Sequence, residues 1–250
     1  MIKIENLTKK YGNLTAVSSL SLTVNPGEIY GFLGPNGAGK TTTIKIMAGL
    51  LKATEGRVSL AGFDVEKSPQ EAKRVMGYIA DTPEPYERLT GREFMLTVAA
   101  LYGLKGTERE ERVKRGLEML DLVPWTDELV ESYSHGMKQK LMISAALLHE
   151  PKVLVADEPL VGLDPKSSRK LKEVFRGLAG EGKAIFISTH ILEIAERLCD
   201  RVGIIMAGKL VAEGTVNDLR NRLRAPGSNL EEIFLAVTGG DNDSSETTSL

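Results

Sequence analysis

The sequence predicts an α/β fold: a mixed, mostly parallel sheet covered by helices, with an antiparallel β part at the N-terminus and an inserted α-helical lobe. Three observations lead there. Short β-branched or apolar runs dominate up to Ala80, and from Asp81 to Glu150 the pattern turns helical. After that, apolar runs at Val153 to Ala156, Ala184 to Ser188 and Val202 to Met206 alternate with helical segments, the rhythm of strands buried on both faces of a parallel sheet.

Taken in order, Ile2 to Leu7, Ser19 to Val24 and Ile29 to Leu33 read as strands, with Asn25-Pro26-Gly27 as the turn between the second and third. Thr42 to Leu50 suits a helix, and Arg57 to Leu60 and Gly77 to Ala80 read as strands around a helix start at Ser68-Pro69. Within the helical stretch, Thr90 with Glu93 and Thr107 with Glu110 have the spacing of capping boxes. Ala207-Gly208 makes a hairpin-like turn, and Val216 to Leu223 and Leu230 to Val237 read as helices. The closing GGDNDSSETTSL has almost nothing to bury and is expected to be disordered. The expected organisation is a core from 1–81 and 151–237, an inserted lobe over 82–150 and a tail over 238–250.

Composition narrows the function classes. Among the 250 residues, 42% are hydrophobic and 26% charged, the balance of an ordinary globular protein. The net charge of -2 offers no global attraction for nucleic acid or an anionic membrane, so no nucleic-acid partner is expected. Arg220, Arg222 and Arg224 read as a solvated face. The single cysteine, Cys199, forms no intrachain disulfide and fits a reducing compartment. The opening MIKIENLTKK lacks the apolar core of a secretory leader, and no run approaches the ~18 apolar residues of a membrane-spanning helix.

The strongest motif follows the third strand. Gly34-Pro35-Asn36-Gly37-Ala38-Gly39-Lys40-Thr41 satisfies G-x-x-x-x-G-K-[ST], the loop that curls backbone amides around nucleotide phosphates. Lys40 would reach the β and γ phosphates, Thr41 would place its hydroxyl on Mg²⁺, and the helix opening at Thr42 would add its dipole. By itself the loop establishes a nucleotide phosphate site, and the expected core is that of a P-loop NTPase. The second motif, VLVADEP, is a buried-type strand ending in two carboxylates, where open α/β sheets bind ligands. Asp157 would hold Mg²⁺ directly or through water. Glu158 would polarise the water that attacks the γ phosphate.

With both motifs in place, the chain resembles the ATP-binding cassette ATPases from Ile2 to about Val237. Tyr11, in KKYG, sits where the family stacks an aromatic ring on adenine. YSHGM from Tyr133 occupies the place of the family signature LSGGQ; Ser134 and Gly136 remain, while His135 replaces a glycine. By resemblance, Ser134, Gly136 and the amides of the following helix face the γ phosphate of a nucleotide held by an opposite subunit. As bare sequence, Ser134 reads equally as a helix N-cap. Gly162-Leu163-Asp164 matches the family's aspartate-bearing turn, and His190 its switch histidine, expected to contact the γ phosphate. Asp81 stands where the family has glutamine and is a further candidate ligand of Mg²⁺.

The resemblance implies an ATPase that uses ATP and Mg²⁺ in a head-to-tail homodimer, driving a separate membrane-spanning permease. LTGREFM from Leu89 and LEEIFLAVTG from Leu230 look like bacterial exporter cassettes. The chain would then be cytoplasmic, held peripherally at the inner face of the cell membrane through that permease. The alternatives are a soluble cassette clamping a ribosome, DNA or an assembly scaffold, and a cassette that binds nucleotide without turnover.

Overall fold

The computed structural model describes residues 1–222 and 227–239. Two sheets organise it. β1 (Ile2–Tyr11), β2 (Leu14–Val24), β4 (Glu55–Leu60) and β5 (Phe63–Asp64) form an antiparallel sheet in the order β2-β1-β4-β5. β3 (Ile29–Leu33), β6 (Met76–Ile79), β7 (Val153–Asp157), β8 (Ala184–Thr189), β9 (Arg201–Met206) and β10 (Lys209–Gly214) form a second sheet ordered β10-β9-β3-β8-β7-β6. Its pairings are parallel except β10 with β9, so the mixed, mostly parallel sheet expected from the sequence is the one observed.

Apolar residues on both faces hold this sheet between two cores. Tyr30, Phe32, Val153, Val155 and Phe186 point to the side of the antiparallel sheet, with Ile44 and Met47 of α1 (Lys40–Met47). The alternate residues Ile29, Leu33, Leu154, Ala156, Ile185 and Ile187 point the other way. There they meet Leu171 and Phe175 of α6 (Pro165–Gly180), Ala195 and Leu198 of α7 (Leu192–Leu198) and Ile233 of α9 (Leu230–Thr238). The period of two makes both sets apolar, which is why these strands read as continuous hydrophobic runs. Each large side chain buried this way contributes about 1.5–3 kcal/mol. Cys199 packs into the second core beside Gly31, and burial pushes its thiol up to about 12.

A third cluster joins α3 (Gly91–Leu101), α4 (Gly106–Met119) and α5 (His135–Leu147) through Phe94, Met95, Val113, Leu117, Leu141 and Ala145. The Thr90 box forms in full: its hydroxyl accepts the Glu93 amide and the Glu93 carboxylate accepts the Thr90 amide. The box expected at Thr107 does not form. The chain turns helical at Gly106, with extended Lys105 at the N-cap, so Thr107 already lies inside the helix and cannot reach the amides ahead of it.

Other differences have local causes. β1 and β2 run past the limits read from sequence, because register shifts after Ile4 and Leu7 break the apolar alternation while the pairing continues. β10 was not expected as a strand; its mixed apolar and charged, mostly half-exposed residues pair along β9 at the sheet edge. The helix α2 (Pro69–Arg74) begins at the Ser68-Pro69 step, and α8 spans Val216–Arg222. Thr238 ends α9 with Gly239 as its C-cap, and the expected tail from residue 240 onward, like Arg224, lies outside the described residues.

Candidate functional site

Strand register brings the sequence-separated motifs to one edge. Leu33, the last residue of β3, pairs with Thr189 of β8. Ser188 pairs with Asp157 of β7, and Ala156 with Ile79 of β6. The segments leaving these strands therefore stand side by side: the loop 34–39, then His190, then Asp157 and Glu158, then Asp81. This is the carboxyl edge of a parallel sheet, where ligands bind.

The loop is shaped for an anion. Gly39 caps α1 with φ 109°, and a Cβ there would stand 2.5 Å from the Ala16 carbonyl, so only glycine fits. No side chain caps α1, which begins at Lys40 rather than at Thr42, and its first amides face the loop. Lys40 is buried and its Nζ donates to the carbonyls of Gly34 at 2.6 Å and Pro35 at 3.2 Å. Pro35, Asn36, Gly37 and Thr41 are exposed, Ala38 is buried and Thr42 is half-buried. Tyr11, 47% exposed, ends β1 on the hairpin whose Ala16 touches Gly39, with Lys9 Nζ 5.1 Å from its ring centroid.

The carboxylates are held tightly. Asp157 is 3% exposed and its Oδ1 accepts the Ser188 hydroxyl at 2.5 Å, while Oδ2 has no hydrogen bond among the described residues. Ser188 Oγ also accepts the Glu158 amide at 3.1 Å. Glu158 has φ 47°, a left-handed backbone that a non-glycine residue adopts at a cost of order 1 kcal/mol or more. Its Oε1 lies 2.9 Å from His190 Nδ1, and its Oε2 accepts the His190 amide at 3.4 Å. With Nδ1 protonated, the imidazole donates to Glu158 and leaves Nε2 without a hydrogen bond among the described residues, on a side chain that is 55% exposed. Sequence reasoning missed Ser188 as the link between both acids. A lone serine near the end of an otherwise apolar strand was the available signal.

Asp81 lies two residues past β6 and is exposed. Burial first, then the charges of Asp157 and Asp81, push the Tyr78 hydroxyl above its ordinary pKa. Thr41, Asp157 and Asp81 offer hydroxyl and carboxylate oxygens, the hard donors that suit Mg²⁺. Among the described residues no cluster of three or more His, Cys, Asp or Glu could hold a metal by itself. A cation here would draw its remaining ligands from water or phosphate oxygens.

Ser134 and Gly136 do not join this group. No hydrogen bond or ion pair among the described residues links them to 34–42; Ser134 caps α5 instead, its hydroxyl accepting the Met137 amide at 3.3 Å. His135 is the first residue of that helix and has no positive φ, so histidine occupies the family's glycine position without strain. Asp164 caps α6 by accepting the Ser167 amide at 2.9 Å and hydroxyl at 2.5 Å, and these bonds lower its carboxyl to about 2.

Comparison with known proteins agrees with this geometry. Residues 17–161 match the model of the ABC transporter family. The bacitracin transport ATP-binding protein BcrA of Bacillus licheniformis is 43% identical over 225 residues, covering 90% of this chain and 72% of that protein. The linearmycin resistance ATP-binding protein LnrL of Bacillus subtilis is 38% identical over 223 residues, with 89% and 72% covered. A solved ATP-binding subunit of an ABC transporter superposes with TM-score 0.91 at 35% identity, covering 95% of this chain and 99% of that one. A dimeric cassette in a post-hydrolysis state with ADP and Pi gives TM-score 0.78 at 25% identity, covering 86% and 99%. Among the described residues no helix is long and apolar enough to cross a membrane. The chain therefore belongs to the ABC transporter family, as an ATP-binding and ATP-hydrolysing subunit.

Proposed function

We propose that this chain powers a separate membrane-spanning permease working in the export direction, through ATP-driven closure of two copies head to tail. The observation that carries the catalytic part is the Glu158–His190 pair at the strand edge beside the phosphate loop. The loop amides and Lys40 bind the β and γ phosphates, and Tyr11 stacks on the adenine. Thr41, Asp157 and Asp81 would hold Mg²⁺, which when bound supplies positive charge against the phosphates. Glu158, fixed by Ser188 on its amide and by His190 on its carboxylate, orients the attacking water and accepts its proton. His190 turns Nε2 toward the γ phosphate and carries its presence to Glu158.

Export is supported by relatives named for bacitracin transport and for Nod factor export in Burkholderia. Pairing of copies is supported by the dimeric cassettes among similar structures, and by the distance in sequence and bonding between Ser134 and the loop of its own chain. ATP bridging two copies favours the closed pair, and loss of the γ phosphate releases it. The test is Glu158→Gln. Steady-state hydrolysis should fall by about two to three orders of magnitude while ATP still binds. Turnover equal to the parent would refute the assignment.

A further inference from the structure

One face of α5 lies along the short segment that leaves Glu158. The His135 ring covers Gly162, so closely that a Cβ on Gly162 would stand 2.7 Å from its Cδ2 and 2.9 Å from its Nε2. Gly136 approaches the same place, where an added Cβ would be 3.1 Å from the Gly162 carbonyl. One turn on, Gln139 is buried and its Nε2 donates to the Pro159 carbonyl at 3.4 Å, while Lys140 Nζ lies 3.8 Å from Asp164 Oδ2. Residues 135, 136, 139 and 140 share a helix face by their spacing. They touch both ends and the middle of 159–164.

That segment has little freedom elsewhere. It starts at Glu158 in a left-handed backbone, turns through a Val161 amide to Glu158 carbonyl bond at 3.1 Å, passes Gly162 at φ 77° and ends in the Asp164 cap. A displacement of the start of α5 is therefore passed to the residue that holds the attacking water. We propose that His135 is a positioning residue for hydrolysis: its ring, seated on Gly162, ties the start of α5 to the turn that carries Glu158. The ring acts through shape, since what it meets at Gly162 is the α-carbon of a residue without a side chain. The proposal rests on the reading of Glu158 given above.

The test uses the full chain with MgATP, measuring kcat, KM and the thermal midpoint together. His135→Ala should lower kcat about tenfold, as small misplacements of a reacting group do, with KM and thermal midpoint nearly unchanged. His135→Phe, which keeps a flat ring and removes the titrating nitrogens, should recover most of the loss. Gly162→Ala strains the φ 77° backbone in either background, but the added clash with the ring should make it slow the parent more than it slows His135→Ala. Parent-like kcat in His135→Ala, a Phe variant as slow as Ala, or losses that multiply in the double variant would each overturn the proposal. Glu158→Gln is assayed alongside. If it keeps turnover, the underlying reading of Glu158 fails and this proposal with it. If it loses turnover while His135→Ala does not, only the role of His135 fails.

Discussion

The carboxyl edge of the sheet and the start of α5 solve different problems with similar local chemistry. At the edge, parallel register places Lys40, His190, Asp157 and Glu158 together within one chain, and each of these side chains already makes at least one hydrogen bond there. At α5, Ser134 caps its own helix and bonds to nothing in the phosphate loop. One region is assembled by the fold; the other is left, in the function proposed above, for a second copy to meet. Pre-organisation thus stops at the boundary of the chain.

Substitutions at the edge should have the largest effects. Lys40→Ala should weaken ATP binding by roughly 2–3 kcal/mol, on the order of a hundredfold in Kd, because charge-assisted bonds to phosphate are lost. Fluorescent nucleotide titration measures it, and unchanged affinity would break the comparison at its stronger side. Ser188→Ala removes the hydroxyl that serves both acids, and should cost about tenfold in kcat with smaller change in binding. In the helical part, Thr90→Ala removes one capping bond and should cost about 1 kcal/mol in chemical denaturation without altering KM for ATP.

An effect seen only on acidification joins the regions. His149 stacks on Tyr102 with centroids 3.7 Å apart and its Nε2 lies 3.0 Å from the Met76 carbonyl; burial lowers its pKa to about 4. The unfolded chain, with histidine near its ordinary value, binds the extra proton first as pH falls. Stability present above about 6.5 is therefore lost progressively toward about 4. Thermal melts across that window should show the decline, and His149→Gln should flatten it. A slope identical in both would remove His149 as its source.

What could be read from sequence follows the same division. The phosphate loop and VLVADEP are contiguous, so spacing and residue type declare them, and buried strands announce themselves by apolar runs. The Glu158–His190 pair spans 32 positions, and parallel register alone brings it together. The contact of His135 with Gly162 had no sequence signal, because a histidine in place of a glycine looks only like a departure. The Thr107 box failed for a related reason: spacing fits a cap, but where the backbone enters the helix decides.

Cys199 has a practical consequence. It is the chain's single cysteine, lies against Gly31 inside the core, and stays a thiol far above neutral pH. Since thiolate is the reactive form, maleimide reagents should pass it by in the native protein. A cysteine engineered at any exposed site then becomes the sole attachment point for a dye or spin label. The unaltered sequence is then ready for distance measurements that test the proposed closure of two copies on ATP.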